Sequence, residues 1–244
     1  MSGSLNDVYV SAGHLVLFAD DVSDGFKEDV LSSSLYFQLA ASHQCSKFHA
    51  FKLWCDVYQE AMVAFGWPPV SRNTRSYRIE SEKTFYVWGE IKNRLVERVS
   101  PALLVRFEQL MVERQAATQT NRAYALFFDH CVSSPLQDVS LDGHDPVLSV
   151  QHGSGGVTLS LLLSFVSCEQ VVTSVFLSFK TAETVGEHPL LQNFTSGDIE
   201  GHLVMDVISS EMAGPHYRRV RERINARLGD KKQTLIMGFN EVSS

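Results

Sequence analysis

The chain has 244 residues, 44% of them hydrophobic and 20% charged, which places it in the globular range and excludes a disordered or fibrous polymer. Its formal charge of −7 leaves no general surplus of positive charge for phosphate backbones or anionic lipid, so nucleic acid is not an expected partner. The most apolar run, Val157 to Val166, is interrupted by Thr158, Ser160 and Ser164 and falls short of the ~20 residues of a membrane span, so no span is expected.

Met1 to Asp21 lacks the basic start and long apolar core of a signal peptide. Cys45, Cys55, Cys131 and Cys168 form no C-x-x-C pair and lie in apolar periodic runs, so they read as buried free thiols suited to a reducing compartment. Both features make the expected location cytoplasmic, with signal-less export left open.

Val8 to Phe18 mixes β-branched and aromatic residues and predicts a strand. Asp20, Asp21, Asp24, Glu28 and Asp29 then gather where a helix N-terminus, with its partial positive charge, favours acids. That helix is predicted from about Ser23 to Cys45. The clearest helix follows: Phe48, Phe51, Cys55, Tyr58, Met62 and Phe65 recur at steps of three and four, and Gly66 with Pro68-Pro69 ends it. A short connection makes the two an antiparallel hairpin. Val70 to Lys83 carries only a weak hint of strand at Tyr77 and Ile79.

Further helices are predicted through Trp88, Ile91, Leu95 and Val99, then from the Ser100-Pro101 cap, then over Asn121 to Val132. Ser133 to Gly156 is rich in Ser, Pro, Asp and Gly and reads as a boundary. Beyond it the hydrophobic period changes from 3.6 to 2. Val157 to Val166 and Val171 to Phe179 predict two antiparallel neighbours, Ile199 to Val207 a third strand, and Leu235 to Phe239 a fourth. Glu211 to Leu228 returns to helical spacing. The expected fold class is therefore α+β: a helical N-terminal half, and a C-terminal four-stranded antiparallel sheet covered by one helix. The expected division is a mainly helical subdomain over 1–135, a linker over 136–156 and a sheet-plus-helix subdomain over 157–244.

Chemistry-bearing patterns are sparse. The helix end His216 to Lys232 carries Arg218, Arg219, Arg221, Arg223, Arg227, Lys231 and Lys232 against Glu222 and Asp230. It reads either as a solvated face or as an anion- or protein-docking surface. Met1 to Asp29 is oppositely charged, so the two regions are expected to attract each other within one molecule or between copies. Arg72, Arg75 and Arg78 interleave with Tyr77, Tyr86 and Trp88, a weak single-strand stacking pattern. Gly153-Ser154-Gly155-Gly156 fits neither a nucleophile elbow nor a phosphate loop, because a strand follows it directly. Nine histidines contain no H-E-x-x-H, and no metal site or cofactor is expected, His144, His152 and His188 being the loop set weighed. The leading expectation is a non-enzymatic interaction or self-assembly protein with a protein partner or itself as a homo-oligomer. The alternative is a hydrolase assembled from His144, Asp145, His152 and Ser154.

Overall fold

A computed structural model describes residues 7–78, 84–116, 121–133 and 156–239. The strand expected over residues 8–18 is folded back on itself: β1 (Val8–Ser11) and β2 (His14–Phe18) form a hairpin that turns through Ala12, at φ 51°, and Gly13. A non-glycine residue in the left-handed region leaves no mark in a hydrophobic pattern, so the turn was invisible there. α1 (Asp24–Gln44) and α2 (Phe51–Ala64) form the expected hairpin. Gly66 sits just past α2 at φ +85°, and its carbonyl accepts the Ala213 N–H. A Cβ there would lie 3.0 Å from His216 and 3.1 Å from the Tyr217 nitrogen. Gly66→Ala is therefore expected to cost about 1–2 kcal/mol, measurable by urea unfolding.

β3 (Pro69–Tyr77), β4 (Thr84–Tyr86), α3 (Val87–Leu95), α4 (Pro101–Ala116) and α5 (Arg122–Cys131) complete the first half. α5 opens on Asn121, whose side chain accepts from Ala123 N and Tyr124 N. The second half holds β5 (Val157–Val166), β6 (Val171–Thr181), β7 (Asn193–Thr195), β8 (Ile199–Glu211), α6 (Gly214–Leu228), α7 (Lys231–Leu235) and β9 (Ile236–Gly238).

The expected four-stranded antiparallel sheet with one covering helix does not form. The sheet has seven strands, ordered β3-β8-β6-β5-β2-β1-β9, and β4 pairs with β7 in a separate two-stranded sheet. It is mixed, because β2 runs parallel to β5 while its other neighbouring pairs are antiparallel. Nor is the first half simply helical: it contributes β1, β2 and β3 to this sheet, and helices occur in both halves.

Helices cover both faces. Leu159, Leu161, Leu163, Phe165, Val175 and Leu177 pack under α3, α4 and α5. Val16, Phe18, Leu162, Phe176 and Ile208 pack under α1, α2 and α6. The physical reason for the misreading lies in the serines that alternate with the apolar residues of β5 and β6. They suggested a solvated face, yet Ser160, Ser164, Ser174 and Ser178 are all buried. Each hydroxyl meets one on the neighbouring strand: Ser160 with Ser178 at 2.9 Å and Ser164 with Ser174 at 2.6 Å. Paired in this way they need no water, so the second face is free to accept a helix layer.

Cys55 and Cys131 are buried as expected, but Cys45 is half-buried and Cys168 is exposed in the β5–β6 turn. All four are free thiols. Among the described residues, no helix is long and apolar enough to cross a membrane.

Candidate protein-docking site

Among the described residues, one edge of the seven-stranded sheet is open. β3 pairs with β8 along one side over residues 69–77, and no described strand pairs with its other side. Seven of its nine residues are exposed and two are half-buried, so its faces are also largely uncovered. The opposite edge, β9, has only three residues. A strand that short offers little backbone to a newcomer, whereas nine residues offer a full row of donors and acceptors.

The strand is fixed by side chains rather than by an apolar face. Asp206 of β8 is 3% exposed and accepts from Arg72 Nε at 3.0 Å, Thr74 Oγ1 at 2.9 Å and Gln59 Nε2 of α2 at 3.1 Å. A second Arg72 nitrogen lies 2.8 Å from the same carboxylate and 3.7 Å from Asp56. On the other face, Arg98 donates to Ser71 Oγ at 2.6 Å and the Tyr77 hydroxyl donates to Glu90 at 2.9 Å. Burial, reinforced by Glu90, pushes the Tyr77 phenol up to about 12. Arg75 and Arg78 are exposed and make no ion pair with a described residue.

The arginines and aromatics that hinted at single-strand stacking thus have separate tasks. Trp88 is buried, with its indole N–H donating to Glu108 at 2.8 Å. Arg72 and Arg75 lie on an edge strand, a feature the weak periodicity of Val70 to Lys83 did not reveal. No apolar stripe marks β3, because neither of its faces is buried.

The α6 arginines divide into two groups. Arg221 pairs with Asp29 of α1, Arg223 lies 4.8 Å over the Phe65 ring, and Arg227 donates to the Tyr36 hydroxyl at 2.6 Å. Lys232 reaches Glu28 at 3.0 Å. The acidic start and the basic helix therefore meet within one molecule. Burial pushes the Asp29 carboxyl up despite the opposing hydrogen bond from Arg221. Arg218 and Arg219 are exposed and make no ion pair with a described residue.

His144, Asp145, His152 and Ser154, the hydrolase set, lie outside the described residues, as does nearly all of the expected linker. His188 accepts or donates at the Tyr124 hydroxyl, 3.1 Å away. Among the described residues, no group of three His, Cys, Asp or Glu side chains could hold a metal ion.

A Ser–His contact does exist in the core, where His14 Nε2 lies 2.7 Å from Ser164 Oγ. It lacks the features of a nucleophilic dyad. His14 is 2% exposed, its Nδ1 has no acid or other partner among the described residues to orient it, and the adjoining cavity of about 20 Å³ has room for about one water. Burial, with Lys47 adding to it, pushes the imidazole down to about 3, so it is neutral at pH 7.

No protein-family model matches the chain, and no curated protein sequence does. The solved structures that resemble it distantly include two that match most of its length. One is the Evf virulence factor, at TM-score 0.41 and 9% identity over 93% of this chain and 85% of that one. The other is a delta-endotoxin, at TM-score 0.41 and 14% identity over 83% of this chain and 84% of that one. Likeness at this level carries no argument about fold or function.

Proposed function

We propose that the chain is a protein-interaction module that takes an acidic, extended segment of a partner protein as an added strand beside β3. The observation that supports this is the nine-residue edge, hydrogen-bonded on one side only among the described strands. An incoming strand gains main-chain hydrogen bonds worth about 0.5–1.5 kcal/mol each, and its alternate side chains meet the two faces of β3.

Charge selects the partner's chemistry. Residues 69–78 contain Arg72, Arg75 and Arg78 and no acid, while Asp206 already engages Arg72. A partner segment bearing aspartate or glutamate at alternate positions, and so along one face, would neutralise Arg75. A second copy of this chain is the poorer occupant, since two β3 strands side by side would bring their arginines together. Arg218 and Arg219 remain the proposed docking residues of α6, because Arg221, Arg223 and Arg227 contact the α1–α2 hairpin.

A blocked peptide alternating aspartate with valine and threonine tests the reading by isothermal titration. It is expected to bind with an affinity that falls as salt rises and that drops about tenfold with Arg75→Glu, the loss of one exposed charge pair reversed to repulsion. Equal binding by a lysine-for-aspartate peptide, or by one with N-methylated amides, would sink the proposal. Concentration-dependent dimers in sedimentation without any peptide would favour self-assembly instead.

A further inference from the structure

β3 presents two faces of different charge, and the difference narrows the kind of strand that can add beside it. Ser71, Asn73, Arg75 and Tyr77 alternate with Arg72, Thr74 and Ser76, so the two sets point to opposite sides of the sheet. The register with β8 fixes which side is which. Asn73, Arg75 and Tyr77 stand opposite Val207, Met205 and Leu203, which belong to the core under α3, α4 and α5. Arg72 stands opposite Ile208, which belongs to the core under α1, α2 and α6.

On the α3 side positive charge is in surplus. Arg98, in the turn after α3, donates to Ser71, and Arg94 sits beside the Tyr77 hydroxyl, where its charge opposes the upward push on that phenol. Exposed Arg75 stands between them. Against these three guanidiniums, Glu90 is the one carboxylate among the described residues that touches β3 from this side, and the Tyr77 hydroxyl already donates to it. On the α2 side the balance is reversed. Arg72 is the one arginine of β3 there, and two carboxylates hold it: Asp206, which is buried, and Asp56, whose side chain is 42% exposed. A strand running beside β3 alternates in the same way, so its own side chains divide between these two sides.

We infer that the partner strand is itself two-sided, carrying aspartate or glutamate on the α3 side, across from Arg75 and the arginines that flank it, and lysine or arginine on the α2 side, where Asp56 is open to solvent. The inference rests on strand addition at β3. A uniformly acidic segment is disfavoured, because every second acid would face Asp56 and find Arg72 already neutralised. The edge thus selects for alternation of sign rather than for net charge.

Two blocked eight-residue peptides of identical composition provide the test. One alternates aspartate and lysine; the other repeats Asp-Asp-Lys-Lys, so that each of its faces mixes the signs. Both are titrated into the full chain beside the peptide that alternates aspartate with valine and threonine. The alternating aspartate–lysine peptide can set all its acids on the α3 side by choice of register, and it is expected to bind about tenfold more tightly than its isomer. Asp56→Lys is expected to weaken that peptide about tenfold and to change the valine–threonine peptide by less than about threefold, the latter also reporting that β3 is still in place. Equal binding by the two isomers, or an equal effect of Asp56→Lys on both alternating peptides, would overturn the two-sided partner and leave strand addition standing. Failure of all three peptides to bind would remove strand addition itself, and this inference with it.

Discussion

Lowering the pH from 7 to 4 is expected to remove about 3 kcal/mol of stability through His14 alone. The unfolded chain takes up a proton at this side chain near the ordinary 6.5, whereas the folded one refuses it until about 3. A group whose pKa is depressed by folding contributes its full stability above the unfolded value. That contribution then falls by about 1.4 kcal/mol per pH unit until the folded value is reached. The cause is burial between the sheet and the α1–α2 layer. The groups around His14 cannot compensate: Lys47 disfavours the imidazolium, and Cys55, Tyr58 and Cys131 are held protonated by their own burial. His14→Gln retains a donor for Ser164 and removes the titration. Denaturant unfolding at a series of pH values should therefore show the parent losing about 3 kcal/mol more than the variant between pH 7 and 4. Parallel curves for the two proteins would show that His14 does not govern the acid response.

The second large effect is expected at the anchor of β3. Arg72→Met should cost about 3 kcal/mol, because it strands a carboxylate that is 3% exposed and leaves Asp206, among the described side chains, the Thr74 and Gln59 donors. The reverse removal, Asp206→Leu, should cost less. Arg72 is 43% exposed on its side chain and can turn to water or to Asp56. Replacing both residues should cost less than Arg72→Met alone, since no buried charge then remains. Hydrogen exchange supplies a local readout: in Arg72→Met the β3 amides should lose protection before those of β5. If the double variant proves less stable than Arg72→Met, the ion pair is not what holds the edge strand in place.

The candidate edge was only partly legible in the sequence. Arg72, Arg75 and Arg78 stood out, but as companions of aromatic residues rather than as members of a strand. An edge strand exposed on both faces has no hydrophobic alternation to betray it, and its register comes from Asp206, more than a hundred residues away in the chain. The contact between the acidic start and the basic helix was legible as charge complementarity. Whether it would close within one molecule was decided by α6 packing beside α1, where Arg221 reaches Asp29 and Lys232 reaches Glu28.

What the sequence determined by itself was local: α1, α2, α4, α5 and α6 from residues recurring every turn, the β5–β6 pair from strict alternation, and the stop at Gly66. Those signals act over a few residues, so they are written where they operate. The tertiary structure alone decided that β1 and β2 join the later strands, that β2 lies parallel to β5, and that helices cover both faces of one sheet. These depend on which surfaces bury each other at long range. Serines that look solvated in one dimension become core residues once each finds the hydroxyl of its neighbour across the sheet.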